Sequence, residues 1–182
     1  WSNGVPTTSL IASIPSAPSN QPNMSSDGTA HALQLDSGAT LTGGSNITLY
    51  ITGESAGETD APPNGYAVNL DGAISGELSL NITTAAETAV DLNPSSGNVH
   101  NLTINDASAD VNTDSATTLA GDLTITLGIF DIGNNGLTVT GDVDISGTLT
   151  CNASAVSFGS LKCQGSSTLN ATSGTTTITS EN

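Results

Sequence analysis

The chain has 182 residues, 17 of them acidic against one Lys and no Arg, for a formal net charge of −16. That balance excludes nucleic-acid phosphates and anionic membrane surfaces as partners, since both are held through Lys and Arg. Two Phe, two Tyr and one Trp stand against 51 Ser and Thr and 20 Gly, so any core must be layered from small aliphatic side chains rather than aromatic clusters.

Residues 1–30, with Pro6, Pro15, Pro18 and Pro22, read as an irregular N-terminal cap segment. The chain opens at Trp1 without an initiator Met, which points to a removed leader or a longer parent. From residue 31 the sequence repeats itself. Apolar–x–apolar triplets occur at Leu33-Gln-Leu35, Leu49-Tyr-Ile51, Leu80-Asn-Ile82, Leu102-Thr-Ile104, Leu123-Thr-Ile125, Val143-Asp-Ile145 and Leu161-Lys-Cys163. Their first residues are separated by 16, 31, 22, 21, 20 and 18 positions. The outlying 31 contains GESAGETDAPPNGY (53–66), which reads as a loop inserted into one coil.

Further strand-like pieces lie between these triplets, among them Ala39-Thr-Leu41, Val68-Asn-Leu70, Val90-Asp-Leu92, Phe130-Asp-Ile132, Leu137-Thr-Val139 and Leu149-Thr-Cys151. No 3.6-residue apolar stripe appears, and Ser, Thr and Gly disfavour helix throughout. The pattern predicts an all-β β-solenoid (parallel β-helix) over 31–182, with coils of about twenty residues. The alternative is a β-sandwich of longer antiparallel strands. No run of about 18 apolar residues marks a membrane span. The tail GTTTITSEN (174–182) alternates like a strand and lacks a capping segment, which predicts a continuing chain or self-association at that end.

Register then gives meaning to individual residues. Asn101, Asp122, Asp142 and Ser160 immediately precede their triplets, so stacking brings them into one corner column. Asn and Asp suit corners through local backbone hydrogen bonds and tolerance of the left-handed region. Carboxylates at Asp122 and Asp142 one coil apart need hydration, hydrogen bonding or a bridging cation. They are the candidates for a metal, although the nonapeptide calcium pattern GGxGxD is absent. His31 and His100 precede their triplets in the same way (HALQL, HNLTI) and are expected to share a column as structural residues.

Asp142 and Asp144 sit i, i+2 on one strand, about 6.5–7 Å apart by strand rise, a separation compatible with an inverting glycosidase. Alternation with Val143 and Ile145 instead makes them a solvated face, and no aromatic sugar platform accompanies them. A pectate-type lyase would need an Arg base, which is lacking. No phosphate loop, dinucleotide fingerprint or nucleophile–base pattern occurs, so no enzyme activity and no cofactor is expected.

Cys151 and Cys163 end alternating triplets and are expected to be buried free thiols, a disulfide across one coil being the alternative. Sequons stand at Asn23, Asn46, Asn81, Asn101, Asn152 and Asn170, little more than the Asn, Ser and Thr content itself predicts. They are candidates for glycosylation.

The opening WSNGVPTTSLIASIPSAP…GATLT is similar to the N-terminal stretch of repetitive extracellular β-solenoid proteins of environmental bacteria. The tail GLTVTGDVDISGTLTCNASAVSFGSL…SGTTTITSEN resembles repeat arrays of phage tail-fibre and other virion-surface proteins and of bacterial adhesins. The resemblance implies an extracellular structural or adhesive module of a virion fibre or spike, or else a cell-surface adhesin or filament subunit. Host surface glycans or proteins would be its partners.

Overall fold

The computed structural model describes residues 6–16, 19–54, 66–84, 87–91, 99–113 and 115–179. Each coil contributes one short strand to each of three faces, here A, B and C. The first coil supplies β1 (Ala12–Ile14), β2 (Asn23–Met24) and β3 (Gly28–Ala30). The second supplies β4 (Leu33–Leu35), β5 (Thr40–Gly43) and β6 (Thr48–Ile51), and the third β7 (Tyr66–Leu70), β8 (Ala73–Gly76) and β9 (Ser79–Ile82). β10 (Glu87–Asp91) resumes face A, and Val99 stands on face B through its bridge to Leu119.

Beyond this point strands run around corners. β11 (Leu102–Thr113) pairs with β9 through its first residues and with β10 through its last. β12 (Thr117–Leu119), β13 (Leu123–Asp131), β14 (Leu137–Ile145), β15 (Thr148–Asn152), β16 (Val156–Cys163), β17 (Thr168–Ala171) and β18 (Thr176–Ile178) complete the stack. The pairings among the described residues are parallel and join positions one coil apart, such as Leu102 with Leu123 and Leu137 with Val156. Crossover parallel strands of this kind are the mark of a β-solenoid; a sandwich would have paired antiparallel neighbours.

The alternation read from the sequence is the alternation of burial. Leu33-Gln-Leu35 and Leu123-Thr-Ile125 both run buried, half-buried, buried. On face C two inward columns run the length of the stack. One is Leu49, Leu80, Leu102, Leu123 and Val143; the other is Ile51, Ile82, Ile104, Ile125 and Ile145. All ten are at most 4% exposed. Each such side chain contributes roughly 1.5–3 kcal/mol on burial. Phe130 on face A and Phe158 on face B are the two phenylalanines of the later coils, both fully buried.

Two register expectations change. Leu33-Gln-Leu35 lies on face A, paired with Val68–Leu70, whereas the other triplets of the series lie on face C. The spacing of 16 therefore measured a step between faces. The face C partner of Leu49 is Gly28, which restores a spacing of 21. The stretch read as an irregular cap also contains strands: Ala12–Ile14 pairs with Leu33–Leu35, so the first coil begins inside residues 1–30. Of the expected insert at 53–66, residues 55–65 lie outside the described residues, and Tyr66 opens β7. Of the expected Val90-Asp-Leu92 piece, Leu92 lies outside the described residues.

Candidate functional site: a polar ladder along one corner

The corner between faces B and C carries a continuous polar column. Register places Asp27, Thr48, Ser79, Asn101, Asp122, Asp142 and Ser160 at successive levels, each immediately before the first inward position of face C. The side chains bond from coil to coil. Asp27 Oδ1 accepts from the Thr48 N–H at 2.8 Å. Asn101 Nδ2 donates to Ser79 Oγ at 3.0 Å, while its Oδ1 accepts from the Asp122 N–H at 2.8 Å. Asp122 Oδ1 accepts from the Asp142 N–H at 2.8 Å, and Ser160 Oγ donates to Asp142 Oδ1 at 2.6 Å.

The stacking expected of Asp122 and Asp142 is thus present, and hydrogen bonds offset the repulsion of like charges. Ionised acceptors make such bonds roughly twice as strong as neutral ones. Asp27, Thr48 and Ser79 were missed as members of the column, although aligning the sequence on Gly28, Leu49 and Leu80 would have exposed them.

The Gly that precedes Asp122 and Asp142 has a steric cause. A Cβ on Gly121 would stand 2.2 Å from Asn101 Oδ1 and 2.9 Å from the His100 carbonyl oxygen. On Gly141 it would stand 2.1 Å from Asp122 Oδ1 and 2.8 Å from the Gly121 carbonyl oxygen. The carboxylate or amide of one coil folds over the glycine of the next, and Gly-Asp is the pair that lets it do so.

Asp144 lies on the outer surface of face C, level with Lys162. Lys162 Nζ sits 3.3 Å from its Oδ2, and Gln164 Nε2 donates to its Oδ1. The Gln164 hydrogen bond chiefly, against the cost of desolvation and with help from Lys162, holds the Asp144 carboxyl below its ordinary 3.8. A general acid needs the opposite shift. Asp142 is engaged with Ser160 at the corner, so the pair that spacing suggested serves two separate hydrogen-bond sets.

The histidines part company. His31 lies between β3 and β4, at the corner from face C to face A, and its Nδ1–H donates to the Thr8 carbonyl oxygen at 3.0 Å. Its ring covers Gly53, where a Cβ would meet His31 Cε1 at 2.0 Å. His100 lies at the polar corner, and its carbonyl oxygen accepts from the Gly121 N–H at 2.7 Å. They occupy different corners and share no column.

Both cysteines are free thiols. Cys151 is buried on face A, and burial chiefly, then the charge of Asp131, pushes its thiol up to about 11. Cys163, expected to be buried, is exposed. It continues the column of Ile125 and Ile145, at the last described level of face C. Among the sequons, Asn23, Asn46 and Asn170 are exposed, while Asn81, Asn101 and Asn152 are half-buried. Asn46 and Asn152 take left-handed backbone at φ 61° and 43°, conformations that Asn tolerates at turns.

Among the described residues no group of three His, Cys, Asp or Glu side chains is placed to hold a metal ion. No helix there is long and apolar enough to cross a membrane. A groove of about 270 Å³ opens at the first coil between Pro6, Met24, Asp27, Leu41 and Leu49. Comparison with protein-family models, with curated proteins and with solved structures found no match to this chain.

Proposed function

We propose that this chain is a non-enzymatic structural module of a virion-surface fibre or spike, a stiff stacked solenoid serving assembly or host attachment outside the cell. The observation that supports it is the in-register ladder. The coils are tied to one another by parallel strand pairing on their faces and, from Asp27 to Thr48 and from Ser79 through Asn101, Asp122 and Asp142 to Ser160, by side-chain bonds along one corner. Such a stack resists bending because bending must break bonds on several faces at once. At about 4.8 Å per level, seven levels on face C make a rod of roughly 30 Å. A high negative charge keeps such rods apart in solution.

The same features suit a cell-surface adhesin or extracellular filament subunit, and the exposed sequons at Asn46 and Asn170 fit an exported chain. A carbohydrate-active β-helix is the third reading, and the downward shift of Asp144 speaks against it. Immunogold labelling with antibody to this chain distinguishes them. Gold on particle fibres supports the first reading, gold on the cell envelope supports the second, and gold confined to the cytosol overturns both. Cleavage of host glycans that Asp142→Asn with Asp144→Asn abolishes would establish the third.

A further inference from the structure

We infer that Asn135–Gly136 is a self-modification site. Asn135 loses its amide as ammonia when the corner between faces A and B opens, and the closed stack holds that reaction off.

Three observations carry it. First, among the described residues Asn135 is the one Asn followed by Gly. A glycine has no Cβ to hinder the approach of its nitrogen to the preceding side chain. Second, the previous coil holds the half-buried Asn135 in place. Its Nδ2 donates to the Thr113 carbonyl oxygen at 2.8 Å, and the Gly136 carbonyl oxygen accepts from the Thr117 N–H at 2.9 Å. Third, this corner is tied by side-chain donors. Ser154 stands at the equivalent place one coil on, its N–H on the Cys151 carbonyl oxygen as that of Asn135 is on Ile132. Ser154 Oγ likewise reaches back a coil, donating to the Gly133 carbonyl oxygen at 3.1 Å. The corner between faces B and C relies instead on the carboxylate acceptors of Asp27 and Asp122.

In the reaction the Gly136 N–H gives up its proton and the nitrogen attacks Asn135 Cγ. The Cγ–Nδ2 bond breaks, and a proton goes to the departing ammonia. Water then opens the cyclic imide to aspartate or isoaspartate. Attack requires Cγ to close on the Gly136 nitrogen, but the bond to Thr113 directs the amide to the previous coil and the bond to Thr117 fixes Gly136. The corner must therefore open locally before the chemistry proceeds. Afterwards the donor is gone, and a carboxylate faces the Thr113 carbonyl oxygen with no proton between two acceptors. The change thus records the opening of this corner in one direction only.

Peptide mapping by mass spectrometry, on the 182-residue chain held at mildly alkaline pH with and without urea, tests this. Asn135 in the folded chain is expected to deamidate about tenfold or more slowly than in the unfolded chain. The two rates should converge as urea carries the chain through its unfolding transition. Asn3–Gly4 and Asn64–Gly65, which lie outside the described residues, check the chemistry in the unfolded chain. Gly136→Ala, whose Cβ would meet only the Ala155 carbonyl oxygen at an ordinary 3.6 Å, should keep the folded stability and slow the unfolded reaction several-fold. Asn135→Asp should lower the unfolding midpoint. A folded rate equal to or above the unfolded one overturns the inference. So does an Asn135→Asp chain as stable as the parent, or an unfolded chain in which Asn135 does not react.

Discussion

The early and late coils turn the same corner by different means. From the last inward side chain of face B to the first of face C, the early coils take eight and six positions (Leu41 to Leu49, Ile74 to Leu80). The late coils take four or three (Leu119 to Leu123, Val139 to Val143, Phe158 to Leu161). In the wide corners apolar side chains fill the space: Leu78 is fully buried and Ile47 packs against the core. In the tight corners backbone meets backbone, and Gly121, Gly141 and Gly159 take the place of a side chain. The ladder bond survives both solutions, at 2.8 Å from Thr48 N–H to Asp27 and at 2.8 Å from Asp142 N–H to Asp122. The difference teaches that the inward columns set the register, while corner chemistry adapts to however much chain is available.

If the columns are the shared element, breaking them should cost alike in both regions. Ile51→Ala and Ile104→Ala should each lose about 2–5 kcal/mol through lost burial and the cavity left behind, read from guanidinium unfolding midpoints. A large disparity would mean that one region carries the register for both.

The corners should instead respond differently. Gly141→Ala is expected to cost about 1–3 kcal/mol as an overpacked site. Gly44→Ala, whose Cβ would meet only Ile47 Cγ1 at an ordinary 3.7 Å, should stay within about 0.5 kcal/mol of the parent chain. Removing the ladder acceptor comes next: Asp122→Ala should cost about 0.5–1.5 kcal/mol. Asp122→Asn keeps an acceptor for the Asp142 N–H and relieves repulsion between carboxylates, so it should match or exceed the parent, most clearly at low salt. Combining Asp122→Ala with Gly141→Ala should cost less than the sum, because the first change removes the oxygen that the new Cβ would strike.

The smallest effects concern titration. Asp144 is held below 3.8 in the folded chain, so its contribution is present above that value and is lost as pH falls through the lower, folded-state value. Gln164→Leu should move the Asp144 titration upward, seen in the carboxyl carbon shift by NMR. For Cys151 the sign reverses. A thiol raised from 9.0 to about 11 contributes stability below pH 9 that disappears as pH climbs towards 11. At neutral pH the native monomer should therefore take one maleimide, at Cys163, and the unfolded chain two.

Much of this was legible in the sequence, because a solenoid writes its period directly into its apolar positions. The triplets from Leu49 to Leu161 gave face C, and alignment on them brought Asp122 and Asp142 together. What stayed hidden was which face a triplet occupies: Leu33-Gln-Leu35 and Leu49-Tyr-Ile51 have the same apolar pattern and differ only in what precedes them. His31 was drawn into the wrong corner by the same ambiguity. The first coil escaped notice because Ala12-Ser-Ile14 is short and flanked by prolines, and its pairing with Leu33–Leu35 spans 21 positions. The exposure of Cys163 was also unreadable, since alternation predicts an inward direction but not whether another coil lies beyond it.

The most direct test of the stacked register is a methyl NOESY spectrum of the chain with labelled isoleucines. Contacts are expected between Ile82 and Ile104, Ile104 and Ile125, and Ile125 and Ile145, with none joining Ile104 to Ile145 two levels apart. Absence of the nearest-level contacts, or a pattern joining antiparallel neighbours, would contradict it.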